Sequence, residues 1–420
     1  MNSQSSPPSA KRVLVLTSTF PRWSDDQDPP FVFELCRRLR SAFRIHVLSP
    51  HAPGAKTDEE LDGLAVHRFR YFVEKGEVLA YGSQRGGGGI LANLKRQPWC
   101  YGLVPFFLIA QVISLARMLH REKFDLIHAH WLIPQGLAAV LAARIVRSST
   151  PILCTSHGAD LYSLRGWVWE RIKRFVIASS SGVTVVSRAM RARLLTMGDN
   201  GDKIRVIPMG VDLKGCFVAL SGKRREKSLL FVGRLVEKKG VPYLIKAMPA
   251  VLEKHPWAYL TIAGSGPEEA AIRQHVAALG LEQHVQFLGA VPNTEIPVLY
   301  QAAEVVVFPS IVARDGDQEG FGLVLVEAMG CGCAVIATDL PAIHDTVMDG
   351  KTGLIVSEKD SARLAQKIIY LFDNPAICSS LGEVGRSFVE ERYDWRNIAA
   401  QYDAFYGELM GAGTHEGQTD

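Results

Sequence analysis

The sequence predicts an α/β protein built as two facing Rossmann-like domains with a cleft between them. Three observations lead there. At 420 residues the chain is too long for one ordinary core. Apolar, β-branched runs alternate with helical patterns up to residue 212, and the same alternation restarts at residue 228. Between the two stretches lies SGKRREKS (221–228), a polar, basic segment with the composition of a linker.

In order, KRVLVLT (11–17) reads as a strand, FVFELCRRLR (31–40) as a helix and FRIHVLSP (43–50) as a strand. The rhythm continues with strand FDLIHAH (124–130), a helix through GLAAVLAARIV (136–146), and strands PILCTSHG (151–158) and GVTVVS (182–187). KIRVIPMGVD (203–212) closes the first unit. The second unit runs from strand SLLFVGR (228–234) through helix VPYLIKAMPAVLEKH to strand AYLTIAGSGP. Helix EEAAIRQHVAALG follows, then strands HVQFLGAV, EVVVFPS (304–310) and CAVIAT (333–338). Such alternation implies parallel sheets with helices on both faces. The expected domains are therefore 1–220 and 221–395. The amphipathic segment DWRNIAAQYDAFYGELM starts a terminal helix and tail (396–420) that packs back toward the first domain.

Two regions break the rhythm. Residues 76–97 contain Gly86-Gly87-Gly88-Gly89, too permissive to order alone, so a mobile loop is expected. Residues 98–119 (PWCYGLVPFFLIAQVISLARML) are apolar enough to raise a transmembrane question. Two prolines, Gln111 and Arg117 interrupt them, and a spanning helix would cut a domain in half. A helix with one buried face and one membrane-dipping face is the expectation.

The composition, 47% apolar and 21% charged, is that of a soluble globular chain. Seven cysteines show no metal-type spacing, and Cys331 and Cys333 are one residue too close for C-x-x-C, so reduced thiols and a cytoplasmic setting are expected. The N-terminal MNSQSSPPSAKR has no apolar signal core. Net charge is only +4, but residues 1–212 carry 28 Lys/Arg against 17 Asp/Glu while the remainder is acidic. The first half should therefore meet something anionic. Basic residues from Arg165 to Arg193 are interleaved with apolar ones, which favours an anionic membrane surface at the inner face over nucleic acid.

The chemistry concentrates in Glu319-Gly320-Phe321-Gly322-Leu323-Val324-Leu325-Val326-Glu327. A strand, a glycine-loosened turn and a helix start make an anion site, because free amides and the helix dipole point at the ligand. Two carboxylates in such a place suit the hydroxyls of a nucleotide sugar. Gly233-Arg234 ends the first strand of the second unit, and Lys239 opens its next helix. A planar fork and a point charge at a strand's carboxyl end fit a diphosphate. His157 and Asp160 follow strand PILCTS, so they should face the glutamates across the cleft, able to bind a sugar hydroxyl or handle a proton. His128 and His130 share a strand face without a third ligand at zinc spacing. There is no G-x-G-x-x-G opening a helix, no P-loop and no G-x-S-x-G elbow, which excludes the usual nicotinamide, P-loop and serine-hydrolase signatures.

Together these parts resemble the retaining glycosyltransferases of GT-B architecture, and most closely the bacterial nucleotide-sugar-dependent "group 1" branch that builds surface polysaccharides and glycolipids. The likeness spans roughly 11–405 and rests on TSTFP, HAHWLIPQG, SHGAD, VVSRAM, IPMGVD, VGRLVEKKG and EGFGLVLVEAMGCG. IPMGVD departs from the pattern with Met209 where an Asn is usual. The chain also has PRWSDDQDPPF (21–31) where many relatives carry a Gly-Gly turn, so contacts normally made by those glycine amides are not implied.

The resemblance implies an acceptor-binding first domain and a nucleotide-sugar-binding second one. Arg234 and Lys239 would bind the donor diphosphate and neutralise the leaving group. Glu319 would face the sugar, with Gly233 and the backbone of Gly320, Phe321, Gly322, Leu323 and Val324 nearby. Glu327 would hold the ribose, Val291 would line the base, and His157 would line the sugar site with Asp160 in support. It also implies retention of configuration by front-face attack. The expected reaction moves a hexose from a UDP- or GDP-sugar to a glycan or lipid-linked acceptor. No cofactor is expected, and no metal: Asp315, Asp317 and Glu319 (ARDGDQE) come nearest to a D-x-D metal site, and a solvated loop accounts for them. An epimerase of the same architecture and a non-catalytic sugar-nucleotide-binding protein are the alternatives.

Overall fold

The computed structural model describes residues 10–24, 26, 31–81, 89–198, 201–220 and 224–412. Gly86–Gly88, residues 221–223 of the linker and most of 25–30 lie outside the described residues.

The first domain contains β1 (Arg12–Leu16), β2 (Arg44–Pro50), β3 (Asp58–Leu61), β4 (Leu64–Phe69), β5 (Leu126–His130), β6 (Ile152–Ser156), β7 (Gly182–Val185) and β8 (Ile204–Val206). They form one eight-stranded sheet in the order β3-β4-β2-β1-β5-β6-β7-β8. All neighbours are parallel except β3, which returns antiparallel on β4. The second domain contains β9 (Ser228–Val232), β10 (Tyr259–Ala263), β11 (Val285–Gly289), β12 (Val305–Phe308), β13 (Ala334–Thr338) and β14 (Leu354–Val356). Its six strands run parallel in the order β11-β10-β9-β12-β13-β14.

Side-chain alternation shows why both sheets are sandwiched by helices. Leu14 and Leu16 of β1 join the apolar cluster that also takes in Leu230 and Val232 of β9. Val13 and Val15 point the other way, into a second cluster, and Leu229 and Phe231 into a third. A strand buried on both faces must be apolar throughout, as these runs are. The expected pair of Rossmann-like domains is thus borne out. Each sheet reverses its strand order at one point, between β1 and β5 and between β9 and β12. Ligands of doubly wound sheets bind beyond the carboxyl ends at these crevices.

Several elements lie outside the sequence-based reading. The hairpin of β3 and β4 turns on Asp62 (φ 50°) and Gly63 (φ 77°), an Asp-Gly pair suited to a type I′ turn. Two helices, Ser361–Asp373 and Pro375–Tyr393, follow β14.

The apolar stretch forms a turn at Pro98–Leu103 and a helix at Val104–Arg121. By length and composition it could cross a membrane. Phe107, Gln111, Val112 and Leu115 are buried in the first domain, where Phe107 packs edge-on against Phe69 and Tyr71. Trp99, Tyr101, Phe106 and Ile109 stay exposed at 55–60%. The basic run from Arg165 to Arg193 is divided: Arg171 and Arg174 are exposed on the helix that also exposes Trp167 and Val168, while others are engaged or buried. Arg165 reaches the backbone of Asp315, Arg188 and Arg193 pair with Asp345 and Glu170, and Lys173 is fully buried.

The chain crosses between domains twice, and the crossings lie side by side. Val211 N donates to Tyr393 O (2.9 Å) and Trp395 N to Val211 O (3.2 Å). Gly210 leaves room for this, since a Cβ there would sit 2.4 Å from the Trp395 ring. The last helix, Trp395–Ala412, then covers the outer face of the first sheet with Ile398, Tyr402, Phe405 and Tyr406. Tyr406 also hydrogen-bonds His128 Nδ1 at 2.6 Å.

Candidate active site

The crevice between β9 and β12 gathers the second domain's candidate residues. β9 ends at Val232, and Gly233 follows so tightly against the next turn that a Cβ on Gly264 would lie 1.9 Å from Gly233 O. Arg234 is exposed there, and its guanidinium has no hydrogen bond or ion pair among the described residues. Lys239 closes a short 3-10 turn, Glu237–Lys239. Its Nζ lies 2.9 Å from Glu319 Oε1 and 5.0 Å from the centre of the Phe308 ring.

Glu319 reaches the crevice from the loop after β12. Its side chain is 11% exposed and that of Lys239 13%, so this is a shielded ion pair. Burial pushes the Glu319 carboxyl up, but the charges of Lys239 and Lys238 outweigh it and hold the group below the usual carboxylate range. The preceding acidic residues, which composition alone assigns to a solvated loop, are engaged. Asp317 pairs with Lys238 at 3.2 Å, and Asp315 with Lys95 of the first domain at 2.7 Å.

Gly322 (φ 86°) allows the left-handed turn that opens helix Leu323–Gly330. The amides of Leu323 and Val324 lie in its first turn, where no helical acceptor exists for them. Phe321 turns away, buried edge-on against Tyr393, so only its backbone is available. Four residues into the helix, Glu327 Oε2 accepts a hydrogen bond from Tyr300 (3.0 Å). Burial raises the Glu327 carboxyl to about 7, although the Tyr300 hydroxyl and Lys239 both favour its ionised form. Val291 is partly buried in the loop after β11, at the same end of the sheet.

The first domain closes against this site backbone to backbone. A Cβ on Gly320 would stand 3.2 Å from His157 O and 3.3 Å from Gly158 Cα, so the His157-Gly158 turn abuts Glu319-Gly320. His157 Nε2 lies 3.0 Å from His130 Nδ1, and its ring packs among Phe31, Trp131 and His130. Its Nδ1 has no hydrogen-bond partner among the described residues. Burial lowers His157 to about 3, so the ring is neutral near pH 7, a hydrogen-bonding group rather than a cation.

Asp160, expected to support His157 and to lie among the donor-binding residues, has both oxygens engaged within the first domain. It is 2% exposed, and its two oxygens accept from Leu132 N (2.7 Å) and Ser156 Oγ (2.8 Å). It braces the turn that carries His157. Sequence reasoning misses Lys173, whose Nζ donates to Leu161 O and Leu164 O behind that turn, and Tyr300. Among the described residues no group of three or more His, Cys, Asp or Glu could hold a metal ion.

This geometry can be set beside known proteins. The family model for glycosyl transferases group 1 matches residues 219–388, and that for glycosyltransferase family 4 matches residues 30–214. Over 389 residues the chain is 32% identical to the phosphatidyl-myo-inositol mannosyltransferase of Mycobacterium leprae, covering 91% of this chain and 93% of that protein. The chain belongs to the group 1 glycosyltransferases.

Other similar proteins include the N-acetyl-alpha-D-glucosaminyl L-malate synthase of Bacillus anthracis, 27% identical over 73% of this glycosyltransferase and 80% of that chain. Among solved structures, a sucrose-phosphate synthase from Thermosynechococcus elongatus superposes with a TM-score of 0.76 at 24% identity, over 96% of this chain and 100% of that one. Anabaena HepE, solved with UDP and glucose, gives 0.71 at 19% identity, over 95% and 100%. These likenesses establish the GT-B fold of the glycosyltransferase.

Proposed function

We propose that the protein transfers a hexose from a UDP- or GDP-sugar, with retention of configuration, to a lipid-linked or glycan acceptor of the cell surface. The observation that carries this reading is the convergence of Arg234, the Lys239–Glu319 pair and the amides of the Leu323–Gly330 helix on the β9/β12 crevice. Departure of the nucleotide is the hard step. Cations and amides fixed in place before the reaction stabilise the charge that grows on the diphosphate. In this reading Arg234 and Lys239 hold the diphosphate, and Glu319 holds sugar hydroxyls opposite His157. Glu327 takes the ribose and Val291 flanks the base. No metal takes part. The acceptor attacks from the face the nucleotide leaves, and a donor phosphate oxygen takes its proton.

Donor chemistry is tested by incubating the enzyme with GDP-mannose or UDP-glucose, with and without phosphatidylinositol, and reading the product anomer by NMR. Acceptor-dependent product that keeps the donor's configuration is expected. An inverted product would sink the retaining mechanism, and consumption of donor alone would favour the epimerase.

The acceptor is placed at the cytoplasmic face of the membrane. Support comes from the exposed side chains of Trp99, Tyr101, Phe106 and Ile109 in the turn and helix of the apolar segment. Lys95, Arg96, Arg117 and Arg121 are exposed at the two ends of the same segment. A similar protein, from Mycolicibacterium smegmatis, is a GDP-mannose-dependent phosphatidylinositol monomannoside mannosyltransferase. Burial of one such side chain stabilises by a kcal/mol or more, so Phe106→Asp is expected to weaken binding to phosphatidylglycerol vesicles at least about tenfold. Co-sedimentation measures this. Unchanged binding would move the membrane contact elsewhere.

A further inference from the structure

We propose that Tyr300 is a positioning residue for the donor: its phenol fixes one oxygen of Glu327 so that the other is presented to the ribose diol. The proposal rests on the reading of Glu327 as the ribose contact.

Tyr300 lies in the helix Ile296–Ala302 that leads into β12, and its side chain is completely buried. The hydroxyl donates to Glu327 Oε2 at 3.0 Å. Glu327 Oε1 has no hydrogen bond among the described residues. The backbone that carries the ring is held from behind. Arg224 Nη1 (2.8 Å) and Cys333 Sγ (3.0 Å) both donate to Tyr300 O, and the ring packs at 56° to Phe217. A carboxylate at the end of a glutamate has a broad terminal torsion, so an unanchored one would sample many orientations. One fixed hydrogen bond removes that freedom and leaves a single oxygen for two vicinal hydroxyls.

The groups that face the pair are few. Lys239 approaches Glu327 from the turn after β9, Cys216 from the interdomain segment, and Cys331 and Cys333 lie beside Tyr300. Burial and the neighbouring carboxylate push the Tyr300 phenol well above its usual range, so it stays a donor at every working pH. A donor to a carboxylate favours its ionised form, the form that accepts from ribose.

The test is Tyr300→Phe, which keeps the ring and deletes the hydroxyl. GDP and UDP, and their 2′,3′-dideoxy counterparts, are titrated calorimetrically against wild type and variant. A hydrogen bond to a charged group of this kind corresponds to about a tenfold loss of ribonucleotide affinity. The dideoxy counterparts should bind both proteins alike. In turnover, donor KM rises with little change in kcat, and the acid limb of the KM profile moves to higher pH.

Glu327→Gln is the reference. If it weakens ribo and dideoxy nucleotides alike, the ribose reading of Glu327 falls. If it weakens the ribonucleotides selectively and Tyr300→Phe does not, the proposal for Tyr300 falls alone. Should Tyr300→Phe fail to fold, Cys333→Ala slackens the hold on Tyr300 O. A smaller ribose-selective loss is then expected, and its absence counts against the proposal.

Discussion

Lys239→Ala is expected to lower kcat by about 10²- to 10³-fold, the usual effect of deleting one preorganised charge beside a developing anion. The residue has two jobs that the experiment can separate. In the unliganded protein it neutralises Glu319, 2.9 Å away in a shielded pair. In the proposed reaction it serves the departing diphosphate. Removing the cation strands a mostly buried carboxylate, so thermal stability should fall together with activity. The double variant Lys239→Ala/Glu319→Gln removes the stranded charge and should recover much of the lost stability. It should not recover kcat. If turnover returned together with the melting temperature, Lys239 would be a structural partner of Glu319 and nothing more.

The second large effect runs in the opposite sense. Glu327→Gln should make the protein more stable at alkaline pH while costing it the donor. The carboxyl is raised from an ordinary 4.5 to about 7 in the folded chain. A raised carboxyl contributes stability below its unfolded value, and that contribution is lost as pH climbs through the folded one. At pH 8 the ionised, mostly buried group therefore costs up to about 3 kcal/mol relative to a neutral residue. Gln removes the titration and can still accept from Tyr300. The melting temperature at pH 8 should rise by about 5 °C, with little difference from wild type near pH 4. Donor affinity should fall at least about tenfold, because a carboxylate that accepts from ribose is replaced by a weaker neutral acceptor. A variant no more stable than wild type at pH 8 would show that Glu327 is not held raised. The expected pattern is a site that gives up stability for binding.

Much of the architecture was legible because the burial is extreme. Strands such as β9 and β13 are buried at every residue, and a run that is apolar on both faces announces a parallel sheet. The helix Pro375–Tyr393 was hidden for the opposite reason. Gly382 and Gly385 in its interior argue against a helix until their neighbours are known. A Cβ at Gly382 would meet Gly332 O at 2.3 Å, so the glycine answers a close backbone approach. The strand Asp58–Leu61 is polar and sits at the sheet edge, where no apolar pattern is required.

At the site, sequence served where partners are close in the chain. Glu319, Gly322 and Glu327 belong to one local turn and helix, and Arg234 and Lys239 to another. The pairing of Asp315 with Lys95 spans 220 positions, and that of Tyr300 with Glu327 spans 27. No spacing rule connects such residues. Asp160 carries a further lesson. Its place beside His157 was correct, but an aspartate on a tight turn can face a ligand or its own backbone, and here Leu132 N and Ser156 Oγ claimed it.

The returning helix Trp395–Ala412 has a consequence for how such enzymes are inherited and recombined. The first domain is completed by residues encoded after the second one: Tyr402, Phe405 and Tyr406 share an apolar cluster with Val13, Val15 and Phe43. An exchange of first domains between relatives, in evolution or in the laboratory, therefore has to carry two separated gene segments. A single crossover at the linker would join a foreign sheet to a mismatched cover.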